Sequence, residues 1–233
     1  ARALMNAYEA MGCEPTWTCA PYQMDARPRI GEHVAWAESN AIVFANAVLG
    51  ARTHRYGDFL DIAAAITGRA PAAGLHLDMA RHATIVFDVS AVPANLLDLD
   101  VAYPVIGHHI GKLVGSAVPV IVGAPAGLSE DRLKAIGSAG ASSGSLAMFH
   151  VVGSTPEAPD LETACGGRVP TDRHVITAAD LRTARDQLTT STNAKLGAIS
   201  LGTPHYSVPE FARLIELLGD RRIHPDIHAY VNT

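Results

Sequence analysis

The chain has 233 residues, 48% of them hydrophobic, and a formal net charge of -5, enough to bury one sizeable core in one or at most two domains. It has no cluster of Lys or Arg, which argues against nucleic acid or an anionic membrane surface as partner. No run reaches the roughly 18 apolar residues of a membrane span, the start lacks a signal-peptide layout, and an odd number of cysteines, 3, suits a reduced compartment better than a disulfide framework; the expected location is the cytoplasm.

Apolar residues recur at helical spacing at Ala3, Leu4, Ala7, Tyr8 and Met11, and Gly12 stands where a helix stops. Residues 13–30 read as a loop, because Pro15, Pro21 and Pro28 exclude a regular element there. Residues 33–49, rich in small side chains and apolar nearly all round, predict a buried helix ended by Gly50. Glu38, Asn40 and Asn46 on that helix cannot all face solvent, so they either bond within a core network or point into a cavity. Arg52, Arg55 and Asp58 follow at its exit, and Asp58 opens a short helix over 59–67, capped by Gly68. A turn over 74–78, which carries His76, leads into a strand within 83–89.

From there helix and strand alternate. Residues 103–114 read as helix or turn, 119–122 as strand, and 129–140 as helix with Ser129 as N-cap and Asp131 in its first turn. Strands are expected over 145–152, 197–201 and 227–231, and helices over 178–188 and 208–218. Short apolar strands separated by such helices indicate an α/β fold with a mainly parallel sheet covered on both faces. The cysteine-bearing helical and loop part covers approximately residues 1–80, and the α/β part covers 81–233. The first residues read as mid-helix and the last as a strand, so both ends look cut and part of the site is expected outside this chain.

Ligands of such sheets gather at the carboxyl ends of the strands, where two Gly- and Pro-bearing loops, 150–159 and 202–207, each carry a histidine. Cys13 and Cys19 offer soft thiolates to iron, or pack as small apolar side chains; Cys165, followed by two glycines, has the same two readings. Glu38 and Ser39 suit acid–base work or substrate hydrogen bonding, or brace a helix. Arg52 and Arg55 could clamp a carboxylate or phosphate, or lie at the surface, and His205 could act as acid, base or ligand, or be a lone histidine. His108 and His109, adjacent on a regular element, cannot both aim at one metal. The glycine run 137–144 is neither a dinucleotide fingerprint nor a P-loop, and no Gly-x-Ser-x-Gly elbow exists.

Taken together, Gly12-Cys13-x-Pro-Thr-x-Thr-Cys19-Ala-Pro-Tyr22, Trp36-Ala-Glu-Ser-Asn40-Ala, Asn46-Ala-Val-Leu-Gly-Ala-Arg52-Thr, Ala65-Ile-Thr-Gly-Arg69-Ala-Pro71, Phe149-His-Val-Val-Gly and Thr155-Pro-Glu-Ala-Pro159 resemble aconitase X. The resemblance implies an aconitase-like three-layer α/β/α fold, an iron-dependent dehydratase, and a smaller swivelling domain, fused or separate, that this chain lacks. It implies either cis-3-hydroxy-L-proline or mevalonate 5-phosphate as substrate. Where the archaeal pattern has Gly-Cys-Pro-His, this chain reads Gly202-Thr203-Pro204-His205, which resembles the bacterial hydroxyproline branch and points to mononuclear iron or a 2Fe–2S cluster ahead of a 4Fe–4S one. Cys19, Cys13 and Cys165 are the candidate iron–sulfur ligands, Glu38, Ser39 and His205 the catalytic candidates, and Asn40, Arg52, Arg55, His76 and Ser207 the substrate-binding ones. Arg52, Arg55 and Arg69 set against Glu38, Asp58 and Glu157 suit a zwitterion better than a phosphate ester. The competing class is a non-catalytic structural α/β subunit whose cysteines only pack.

Overall fold

The computed structural model describes residues 1–57, 59–192 and 195–232. α1 (Arg2–Ala10) buries none of its residues, and the proline-bearing segment after it makes only a 3-10 turn, Pro21–Gln23. The helix expected over 33–49 is shorter. α2 (Ser39–Val43) begins where Glu38 accepts the Ala41 N–H at 2.6 Å as N-cap, and it runs into a π-helical turn, Phe44–Val48. Upstream the chain is extended, because Arg52 N donates to Glu32 O at 2.8 Å and Val34 N donates to Arg52 O at 3.0 Å. A small, apolar run signals burial in either conformation, and here the pairing with Arg52 decides it. α3 (Leu60–Thr67) ends at Gly68, whose φ of 63° suits glycine; Asp58, expected to open it, lies outside the described residues.

β1 (Ile85–Asp88), α4 (Ala94–Leu97), α5 (Ala102–Val114), β2 (Pro119–Val122), α6 (Glu130–Ser143), β3 (His150–Val151), α7 (Leu161–Ala164), β4 (Asp172–Val175) and α8 (Ala178–Leu188) follow. The strands form a parallel sheet in the order β3-β2-β1-β4. Phe87, Ile121 and Val151 share a register row and pack with Ile106, Ile110, Ile136 and Leu181 of α5, α6 and α8. Each such buried side chain contributes about 1.5–3 kcal/mol. The next row, Val86 and Val120, faces the opposite way into a smaller cluster with Ala158, Ala164 and Cys165. A parallel α/β sheet covered on both faces is therefore what the sequence folds into.

Two local features depart from expectation, and a third gives the glycine run its role. The strand over 145–152 shrinks to β3 because side chains take the carbonyls before it: Arg55 Nη1 reaches Gly144 O and Leu146 O at 3.4 and 3.5 Å, and Asn46 Nδ2 donates to Ala147 O at 3.1 Å. β4, a polar edge strand, carries no apolar run to announce it. The glycine run 137–144 serves packing, since a β-carbon on Gly144 would overlap the Gly111 carbonyl and, from the facing helix, one on Gly107 would overlap the Ile136 carbonyl, so α5 and α6 meet backbone to backbone. Beyond α8, β5 (Ala198–Leu201), α9 (Val208–Leu218) and β6 (His228–Val231) make a second parallel sheet of two strands. α9 has no buried residue and β6 is exposed throughout. No helix among the described residues is long and apolar enough to cross a membrane.

Candidate active site

The start of α2, α6, and the 202–206 loop with α9 enclose a cleft of about 740 Å³. Cys19, Glu38, Ser39, Asn40 and His205 all line it, so residues from three separate stretches converge on one cavity. Cys19 is exposed yet fixed: Ala20 N donates to Thr18 Oγ1 at 2.9 Å, and Ala20 and Tyr22 are buried against Ala41 and Phe44. One Glu38 carboxylate oxygen caps α2 through the Ala41 N–H; the other makes no hydrogen bond among the described residues. Asn40, 7% exposed, donates from Nδ2 to the Tyr22 hydroxyl at 2.8 Å, while its Oδ1 is buried at the cleft wall without a partner among the described residues. Burial, followed by the Glu38 charge, holds the Tyr22 hydroxyl far above its ordinary range, so it stays neutral.

The opposite wall is built on hydrogen bonds. Ser207 caps α9 in a capping box with Glu210 and donates from Oγ to Asp131 Oδ2 at 2.9 Å. Lys134 of α6, 3% exposed, donates to Asp131 Oδ1, Glu210 Oε2 and the His205 carbonyl at 3.0, 2.5 and 2.9 Å. Asp131, Glu210 and Arg213 line the cleft as well. The Ser-x-x-Glu spacing at 207–210 is a readable sign that Glu210 reaches back to the helix start. Lys134 carries no such sign.

The other candidates fall elsewhere. Cys13 is exposed after α1 and does not line the cleft. Cys165, 1% exposed, sits in the apolar cluster behind the sheet, where burial pushes its thiol up; the structure does not bring it to Cys19. Arg52 pairs with Asp78 at 2.5 Å, and Arg55 is used by the carbonyls before β3. His76, 5% exposed, meets His33 Nδ1 at 2.8 Å through its Nδ1 and the Tyr56 hydroxyl through its Nε2; burial, then the charges of His33 and His54, lower its pKa. Glu157 pairs with Arg81. Of the charges expected to balance there, Glu38 lines the cleft and Arg52, Arg55, Arg69 and Glu157 do not, while Asp58 lies outside the described residues. The cleft's lining acids are Glu38, Asp100, Asp131 and Glu210, and its lining cations Arg132 and Arg213.

Glu38 and His205 can each accept or release a proton, Ser39 and Asn40 offer hydrogen bonds, and Cys19 offers one thiolate. Among the described residues no group of three or more His, Cys, Asp or Glu is arranged to hold a metal ion. The donor set therefore fits one ligand of an iron centre, Cys19, and not a complete set.

Two family models match the chain, Aconitase X first domain over residues 1–79 and Aconitase X second domain over residues 83–186. A cis-3-hydroxy-L-proline dehydratase of Pseudomonas aeruginosa is 46% identical over 228 residues, 97% of this chain and 39% of its own length. A phosphomevalonate dehydratase large subunit of Thermococcus kodakarensis is 38% identical over 215 residues, 92% of this chain and 53% of its own length. The crystal structure of Thermococcus kodakaraensis aconitase X (holo-form) superposes with a TM-score of 0.79 at 37% identity, covering 92% of this chain and 53% of that one. The chain thus spans about two fifths to half the length of these relatives.

Proposed function

The chain belongs to the aconitase X family, and from that premise we propose that it forms part of a hydro-lyase that removes water from cis-3-hydroxy-L-proline. The observation that carries the reading is the convergence of Cys19, Glu38, Ser39, Asn40 and His205 on one cleft. Identity of 46% to a hydroxyproline dehydratase against 38% to a phosphomevalonate dehydratase subunit supports the choice of substrate, as does Thr203.

Dehydration takes a proton from the carbon bearing the carboxylate and expels hydroxide from the neighbouring carbon, leaving a carbon–carbon double bond and one water. Glu38 or His205 takes the proton. Asn40, through its unpartnered Oδ1, accepts from the ring ammonium, and Ser39 hydrogen-bonds the substrate beside it. Iron, as mononuclear iron or an iron–sulfur cluster with 2Fe–2S ahead of 4Fe–4S, would take Cys19 as a ligand and supply Lewis acidity to the departing hydroxyl. Its other ligands would come from chain that these relatives have beyond the length matched here. The same extra length supports a smaller swivelling domain, fused or as a separate subunit, over the cleft. The division into a cysteine-bearing part over about 1–80 and an α/β part over 81–233 belongs to this reading, as does a cytoplasmic location.

The test is turnover of cis-3-hydroxy-L-proline and mevalonate 5-phosphate side by side by the complete enzyme, purified anaerobically and analysed for iron. Selective dehydration of the hydroxyproline is expected, with iron lost in Cys19→Ser while the fold stands. Selective turnover of the phosphate ester would transfer the assignment to the alternative dehydratase, and protein with neither iron nor activity would favour a structural subunit.

A further inference from the structure

The wall that carries His205 is weakly anchored by apolar packing, since α9 has no buried residue and β6 is exposed throughout. Polar bonds hold it instead, and three of them meet at one side chain, while the His205 carbonyl also accepts weakly from Gln23 Nε2 at 3.4 Å. Lys134, buried in α6, bonds Asp131 Oδ1 at 3.0 Å, Glu210 Oε2 at 2.5 Å and the His205 carbonyl at 2.9 Å. An ammonium has three donors, so none remains for a substrate. Ser207 closes the ring: its Oγ donates to Asp131 Oδ2 at 2.9 Å and its N–H to Glu210 Oε2 at 2.8 Å. On its other side the loop is tied to the residue that follows β6: Tyr206 N donates to Asn232 O at 3.1 Å and Asn232 Nδ2 donates to Thr203 Oγ1 at 3.2 Å.

We propose that Lys134 is a positioning residue of the dehydratase, a buried latch that fixes the His205 loop against α6 and so sets His205 opposite Glu38 and Cys19. The proposal rests on the reading of the cleft as the dehydration site. Two carboxylates and a carbonyl on one desolvated cation form charge-assisted bonds whose geometry is set on three sides. A surface lysine would leave the loop to move with the exposed unit that bears it.

The test uses the complete enzyme and two readouts. Hydrogen–deuterium exchange of the amides of Tyr206 and Ser207 needs no substrate and reads the latch directly. Lys134→Met is expected to speed exchange there while the amides of β1 and β2 are unchanged; unchanged exchange at 206–207 overturns the proposal. The second readout is a kinetic cycle with His205→Ala. Lys134→Met is expected to lower kcat about 100-fold, the scale of a misplaced reacting group, with KM near the parent value, and to add little in the His205→Ala background. Effects that multiply instead show that Lys134 does not act through His205, and they too overturn it. Should Lys134→Met fail to fold, Lys134→Met/Glu210→Gln, which leaves fewer carboxylates stranded beside an apolar side chain, takes its place in both measurements. If the parent enzyme turns over no hydroxyproline, the functional reading fails and the exchange experiment alone decides the latch.

Discussion

Arg81 makes the sharpest stability prediction. Its side chain is 1% exposed, whereas that of its partner Glu157 is 25% exposed. Arg81 Nε reaches Glu157 Oε1 and Oε2 at 3.1 and 2.9 Å, with Nη2 also on Oε1; Nη1 donates to Asn46 Oδ1 at 3.0 Å and Leu75 O at 2.9 Å, and Nη2 to Asn46 O at 3.0 Å. Asn46 Oδ1 keeps the Thr53 N–H at 3.1 Å if the arginine goes. Leu75 O and Asn46 O lose these donors, at about 1–3 kcal/mol each. Glu157 is hydrated in part, and Met in place of Arg81 fills much of the volume. We therefore expect Arg81→Met to cost about 3–5 kcal/mol, the range for breaking one side of a buried pair, or about 6–20 °C in Tm for a chain of this size. Glu157→Gln should cost at least as much, because it strands the more deeply buried charge. The double variant should recover part of the loss. Urea unfolding followed by circular dichroism and by the fluorescence of Trp17 and Trp36 measures this. Arg81 joins Asn46 of the first matched domain to Glu157 of the second, so the two probes should separate in Arg81→Met. A loss below about 1 kcal/mol, or strictly additive single variants, would refute the reasoning.

Glu38→Gln keeps an oxygen for the Ala41 N–H but no basic carboxylate; it should leave stability within about 1 kcal/mol and lower kcat by about 100- to 10,000-fold, and an undiminished kcat would remove Glu38 from the chemistry. Gly107→Ala should destabilise by about 1–3 kcal/mol or more through the clash with Ile136 O; a urea midpoint at the parent value would mean the α5–α6 contact yields easily. Burial lowers the pKa of His150 and of His76 below the usual 6.5, and His150 Nε2 faces the Arg81 carbonyl at 2.8 Å, so that nitrogen carries the proton of a neutral ring. The folded chain then binds fewer protons than the unfolded one, and stability present above pH 6.5 should fall as the pH drops below it toward the depressed values. A urea midpoint equal at about pH 7.5 and about pH 5 would contradict this, and His150→Gln should flatten the slope.

Apolar periodicity made the sheet and its helices legible because each element buries one face against the others: 119–122 and 178–188 emerged as β2 and α8 with the bounds expected. β4 was illegible for the converse reason, since Asp172 to Val175 is a polar edge held to β1 by the backbone ladder, the Arg173–Asp88 pair and the stacking of His174 on Phe87, and it leaves no apolar signature. The site divides in the same way. Glu38 and Asn40 stood out as polar groups in an apolar run, and His205 through its glycine- and proline-bearing loop; the structure puts all three on the cleft. Arg52, Arg55 and His76 were chosen by residue type, but a type does not say which partner claims it, and Asp78, two carbonyls, and His33 with Tyr56 claim these. Lys134 and Arg81 mark the deeper limit. Lysine and arginine are read as surface residues because burying a lone charge is prohibitive. Arg81 depends on an acid far along the chain, Glu157, and Lys134 on the distant Glu210 together with its neighbour Asp131; the distant acids arrive only with the fold. A buried cation is thus a property of the assembled tertiary structure, and these two sit where one segment is fastened to another. Which segments are fastened is what single-residue reasoning cannot supply.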